Sequence, residues 1–255
     1  MTTKESVRFL VRTMYDFQKT RIQTANRLQK KKDRTDQDTP DGMESQLAPA
    51  MIPDLVDVLD SAEETEKLIA KHVQKIIKGV PIYEHFLKTV KGCGPTLSAV
   101  IIAEIDIHEA TTVSKIWQYA GCNPGLVRGH KREGDKNIVT DTLIRGDRLT
   151  KGFVAPYNDF LKTKLLGVLA DCFIKSRSPY SKYYYDYVER LSNSEKEYAD
   201  GKKWKDESKA HIARAAKRYM IKMFLKDLYV EWRTLEGLPV RGSYQEEYLG
   251  HVHVG

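Results

Sequence analysis

"VKGCGPTLSAVIIAEI" (Val90 to Ile105) joins a turn built from Gly92, Cys93, Gly94 and Pro95 to a smooth apolar helix that begins directly after it. Glycine accepts the left-handed backbone that follows a helix, and proline suits a first helical turn. The stretch therefore reads as one helix ending and the next beginning. The same spacing also fits a helix-hairpin-helix that grips a nucleic-acid backbone. Its glycines would let backbone N–H groups approach phosphates, and the helix N-terminus would face the anion with the positive end of its dipole. A Gly-x-Gly alone does not separate the two readings.

Outward from this turn, the 255 residues suffice for one large domain or two small ones with a real core. The net charge is +7, with both signs abundant, which suits a soluble protein that meets a polyanion. No apolar run approaches the roughly 18–20 residues of a membrane span. The N-terminus MTTKESVRFLVRTMYDFQ lacks the apolar core of a signal peptide. Cys93, Cys122 and Cys172 are odd in number and lie outside metal-ligand spacing, so they read as reduced thiols in a cytoplasmic chain.

Apolar residues return at helical spacing from Ser6 to Gln29, through Val7, Leu10, Val11, Met14, Phe17, Ile22 and Leu28. After the polar, breaker-rich stretch 30–46 comes a second helix from Ile52 to Lys78. Pro53 stands in its first turn, and Leu55, Leu59, Ala62, Leu68, Ile69, Val73 and Ile76 form its stripe. The pair predicts a long antiparallel hairpin over residues 1–80, packed on the remainder or on a second copy as a coiled coil. Residues 81–255 predict a compact helical domain: Tyr83 to Val90, Leu97 to Ile105, Val113 to Ala120, Phe153 to Lys175, Pro179 to Leu191 and Trp204 to Leu235. Strand alternation is weak and confined to Asn137 to Leu143, so the fold reads as all-α.

Between Gly125 and Gly152 the chain has no clear periodicity and interleaves Arg128, His130, Lys131, Arg132, Lys136, Arg145, Arg148 and Lys151 with glycines. Arginine and lysine beside flexible backbone suit phosphate contact, whereas a solvated loop with scattered ion pairs is the plainer reading. In the last long helix His211, Arg214, Arg218 and Lys222 return on one face beside an apolar stripe, with Lys217 next to them. YSKYYYDYVER (Tyr180 to Arg190) could stack bases, but Tyr180, Tyr184 and Tyr187 share helical spacing, which favours core packing. Two histidines in the tail HVHVG make a poor metal site, so no metal and no cofactor is expected.

In order along the chain, Gly92 to Asp106, Gln118 to Pro124 (QYAGCNP), Ile144 to Asp147 (IRGD) and His211 to Lys222 resemble the C-terminal domain of the bridge-RNA-guided DEDD insertion-sequence transposases. Those enzymes carry a RuvC-like nuclease domain and a serine nucleophile after the "YAG" element. The present sequence starts with the hairpin and has no serine between Gly125 and Gly152. The combination looks like the nuclease-free TIGR-associated (Tas) proteins, whose C-terminal domain resembles the Nop domain.

That resemblance implies a prokaryotic or phage-encoded, non-catalytic homodimer. It would bind a guide RNA, find target DNA by base pairing, and work with a separately encoded nuclease where cutting is needed. Lys91, Gly92, Gly94 and Thr96 would hold phosphates at the turn. The cations of 125–152 would line the RNA surface, with Arg214, Lys217 and Arg218 in support. A divergent transposase and a helix-hairpin-helix DNA-binding protein without RNA stay open beside it.

Overall fold

The computed structural model describes residues 3–28, 52–199 and 201–242. Its backbone contacts divide the chain into two units, meeting between Gly79 and Val80. The polar stretch 30–46 and the histidines of the tail, read above as a loop and a poor metal site, lie outside the described residues.

The first unit consists of α1 (Thr3–Leu28) and α2 (Ile52–Ile77), packed along each other. Val7, Val11 and Met14 of α1 and Ala62, Val73 and Ile77 of α2 are buried. These fall at three-, four- and eleven-residue steps, the spacing that keeps side chains on one helical face. Both oxygens of Glu66 are engaged by α1: Gln18 Nε2 donates to one and Arg21 Nε to the other, each at 2.8 Å. Burial beside Glu66 pushes the Tyr15 phenol up to about 12. The stripe differs from expectation at two positions. Leu68 is 56 % exposed, because at about 100° per residue it points well away from Ala62, Val73 and Ile77, and Ile22 is 45 % exposed. Leu28 has a described backbone, but its side chain lies outside the described set.

The second unit is mostly helical but not purely so. It opens with α3 (Pro81–His85) and a 3₁₀ turn (Leu87–Thr89), then α4 (Pro95–Glu104) and α5 (Val113–Tyr119). Next comes an antiparallel hairpin of β1 (Leu126–Glu133) and β2 (Lys136–Arg145), where the sequence reading expected no regular structure beyond a weak strand at 137–143. Gly134, at φ +59, with Asp135 makes the two-residue turn; glycine at the first turn position is what the II′ hairpin geometry requires. The helix expected from Phe153 starts only at Asp159. Pro156 interrupts it upstream, and the Asn158 side chain caps it by accepting from Leu161 N–H. From there α6 (Asp159–Lys164), a π turn (Leu165–Leu169) and α7 (Ala170–Ser176) run on continuously. After α8 (Ser181–Ser192) follow the short strands β3 (Glu197–Ala199) and β4 (Lys202–Lys203) and a 3₁₀ turn (Trp204–Asp206). The last helix, α9 (Lys209–Leu235), is capped by Ser208, which starts it later than the expected Trp204.

Every residue of α4 from Leu97 to Glu104 is buried, so this helix lies inside the unit. Each buried Val, Leu or Ile contributes about 1.5–3 kcal/mol of transfer free energy. Around it Phe173 stacks on Tyr180 and meets Phe224 edge-on, both at 5.3 Å. Long-range polar ties fix α9. Trp117 Nε1 donates to the Lys222 carbonyl at 3.0 Å, and Tyr229 donates to the Thr111 carbonyl at 2.9 Å. The buried Arg233 donates to the carbonyls of Ile107 and Ala110. Buried polar groups without partners cost several kcal/mol, so these bonds set where α9 can lie.

Candidate nucleic-acid interface

The elements singled out in the sequence converge on one braced junction. Gln118 of α5 donates to the carbonyls of Gly146 (3.3 Å) and Pro156 (3.0 Å), and its own oxygen accepts from Asn123 at 3.0 Å. A Cβ at Gly146 would stand 2.9 Å from the Asn123 carbonyl, so QYAGCNP and IRGD meet backbone to backbone. Next to it Asp147, buried to 8 % exposure, accepts from Arg145 Nε at 3.2 Å and pairs with Arg218 Nη2 of α9 at 3.3 Å. Lys162 donates to the Asp147 carbonyl, and its ammonium lies 4.0 Å from the centre of the Tyr157 ring. Asp147 is the organising residue that the sequence reading missed. An acid one residue after a glycine at a strand end, among arginines, was the available signal.

The hairpin carries the exposed charge. Its register pairs Leu126 with Arg145, Arg128 with Leu143, His130 with Val139 and Arg132 with Asn137. Directly opposed residues share a face, so Arg128, His130, Arg132 and Arg145 stand on one side with Leu126, Val139 and Leu143. The three arginines and the three apolar residues are exposed, and His130 is half-buried. The other side packs inward only at its base, through Gly129 and Ile144; Lys131, Glu133, Lys136 and Ile138 on it are exposed. Phe153 fills the space a Cβ at Gly129 would take, with Ile144 3.3 Å from the same point, while the Lys131 ammonium lies 5.4 Å from the Phe153 ring centre. Lys136, opposite Glu133, belongs to this side, and the hairpin also carries Glu133, Asp135 and Asp141. Its cations are therefore exposed on both faces, the three arginines on one and Lys131 and Lys136 on the other. Arg148 and Lys151 are exposed beyond β2.

The turn that opened the reading splits in two. Gly92 (φ +93) is packed on α7: an added Cβ would lie 2.7 Å from Ser176 Oγ and 3.1 Å from both the Cys172 carbonyl and Phe173. Glycine is therefore required here by packing, and the residue itself is half-buried. Gly94 has open space around it and is exposed, as is Lys91; Thr96 is half-buried in the first turn of α4. The expected helix-hairpin-helix also has an unusual first arm, a five-residue helix broken at Phe86 before the 3₁₀ turn.

The row of cations on α9 is likewise mostly engaged inside the protein. His211 meets Glu207 at 2.7 Å, Lys217 pairs with Asp171, and Arg218 pairs with Asp147. Lys222 sits over the Trp117 ring at 4.4 Å, and burial pulls its ammonium below the usual lysine range. Arg214 is exposed. Burial pushes the Cys93 thiol up to about 11 and the Cys122 thiol up to about 12, the latter despite Lys222, Arg218 and Lys162 nearby. Both thiols are poor nucleophiles in place.

No curated protein matches the chain. Residues 84–138, from the end of α3 through α4, α5 and β1 into β2, match the model of the Transposase IS116/IS110/IS902 family, which makes this segment transposase-like.

Proposed function

We propose that the second unit is a transposase-type nucleic-acid-binding domain that takes the phosphate backbone on the outer face of the β1–β2 hairpin. The observation that supports it best is the single face shared by Arg128, Arg132 and Arg145, with Arg145 held by the same buried Asp147 that holds Arg218. Arginine forks fit phosphate oxygens, and a braced arginine loses less freedom on binding. The family match favours this transposase-like reading over a dedicated guide-RNA scaffold. The salt dependence of binding tests it. Arg128→Ala with Arg132→Ala lowers the slope of log K against log salt by roughly 1.4 on single strands, at about 0.7 per lost phosphate contact. Lys131→Ala, on the opposite face, lowers it much less. A folded double variant with the wild-type slope refutes the assignment.

A second reading rests on the missing serine between Gly125 and Gly152. In it the same surface holds a guide RNA, and base pairing selects the DNA. A homodimer forms through α1 and α2, and a separate nuclease cuts. The protein then cleaves no DNA with magnesium or manganese, and it purifies with RNA that ribonuclease removes. Metal-dependent scission abolished by one Asp or Glu substitution would rule this reading out.

A further inference from the structure

The segment leading into the glycine turn forms one wall of a groove of about 680 Å³ that also involves α8 and α9. This lies within the roughly 300–1,000 Å³ of small-ligand sites. Its sides are aromatic. Tyr187 stacks on Tyr219 at 4.4 Å and 17°, Tyr183 meets Tyr219 edge-on at 6.2 Å, and Tyr180 lies beside them. Three exposed cations line it from different elements: Lys91 from the turn, and Lys182 and Arg190 from α8, the last 5.0 Å from the centre of the Tyr187 ring. Two carboxylates, Asp186 and Asp227, supply acceptors, and Tyr180 already donates to Asp227 at 2.7 Å. Ser178, 2 % exposed and also lining the groove, has a buried hydroxyl with no hydrogen-bond partner.

These features ask for one kind of occupant. A purely hydrophobic core would not expose tyrosine edges to a cavity lined with cations. A bare phosphate site would not contain two carboxylates. A buried hydroxyl left without a partner costs about 1–3 kcal/mol, which a ligand bond to it relieves. A flat heteroaromatic ring with edge donors and acceptors, attached to a phosphate, meets every requirement. Its face takes the place of the exposed Arg190 guanidinium on the Tyr187 ring, whose other face lies on Tyr219, its amino or imino groups donate to a carboxylate, and its phosphate reaches a lysine. We infer that the tyrosine groove takes an unstacked base of a single-stranded nucleic acid, with the adjoining phosphate on Lys91 or Lys182. The inference rests on the nucleic-acid reading of this unit and adds a second contact, distinct in chemistry from the hairpin face. It also gives Lys91 a role while Gly92 remains a packing residue.

The test uses the full chain and single strands of matched sequence, as RNA and as DNA, beside a blunt duplex. Tyr187→Leu keeps bulk but removes the ring. It weakens single-strand binding about tenfold, within the range for losing one base–aromatic stack, and leaves the salt slope and duplex affinity unchanged. Tyr187→Phe keeps the ring and restores most of the affinity. The RNA and DNA arms show which strand is preferred. Photo-crosslinking of the wild-type protein to strands carrying 4-thiouridine or 4-thiothymidine needs no variant to fold, and it places cross-links within residues 180–190. Cross-links confined to the hairpin, or wild-type affinity in a folded Tyr187→Leu protein, overturn the inference and leave the groove to another occupant. Absence of any nucleic-acid binding by the wild type instead removes the proposed function itself.

Discussion

Replacing Gly92 by alanine separates the two roles its turn could have. At φ +93 an alanine sits in backbone territory that L-residues avoid, at about 1–3 kcal/mol. Its methyl would also stand 2.7 Å from Ser176 Oγ and 3.1 Å from the Cys172 carbonyl. The serine can rotate away, but the carbonyl belongs to α7 and has to move with it; such overpacking costs about 1–3 kcal/mol. Gly92→Ala is therefore destabilised by roughly 3 kcal/mol. For a domain of 150–250 residues this lowers Tm by about 6–12 °C. Gly94→Ala is the control in the same turn. Nothing lies within 4 Å of its Cβ position and its φ is −67, so its stability changes by less than about 1 kcal/mol. Thermal melts followed by circular dichroism, beside binding measured well below the melting range, read both effects. A Gly92→Ala protein that melts with the wild type yet binds nucleic acid weakly would return Gly92 to the phosphate and refute the packing argument.

Asp147→Asn leaves Arg145 and Arg218 close together without their shared carboxylate. Because both guanidiniums are partly solvated, urea unfolding should show a loss of about 1–2 kcal/mol rather than that of a fully buried pair. Exposed Phe9 (65 %) and Leu68 (56 %) leave apolar surface on the first unit, and light scattering of nucleic-acid-free protein should give a dimer mass that Phe9→Glu with Leu68→Glu converts to monomer. A wild-type monomer at every concentration removes the dimer from the proposal. Cys93 and Cys122 bind their protons more tightly folded than unfolded, so the stability they carry is complete below about pH 9 and is lost as pH rises toward about 11–12. Unfolding free energies at pH 8 and pH 10 should differ in that sense, and replacing either cysteine by alanine should flatten the difference.

How much was legible depended on how local the cause was. The spacing of Val7, Val11 and Met14 and of Ala62, Val73 and Ile77 marks two long helices, because a helical face is written within a few residues of sequence. Pro95 and the apolar run behind it marked α4 for the same reason. The β1–β2 hairpin was legible in part: Glu133-Gly134-Asp135-Lys136 is a two-residue turn signal, but charges on both flanks hid the alternation. The basic surface of 125–152 could be read as a composition and not as a face. Which side of the hairpin is covered at its base depends on Phe153 lying against Gly129, a contact that no spacing rule contains.

The sequence by itself determined the helical periodicities, set by neighbours within one or two turns, and the excess of positive charge. Tertiary structure alone decided that Gly92 packs on α7, that Asp147 joins Arg145 to Arg218, and that Tyr187 and Tyr219 stack on each other in the side of a groove. Each of these joins residues far apart in the chain. Their side chains approach only after the helices have buried their apolar faces, and the packing, not the local sequence, fixes which polar groups are then left facing one another.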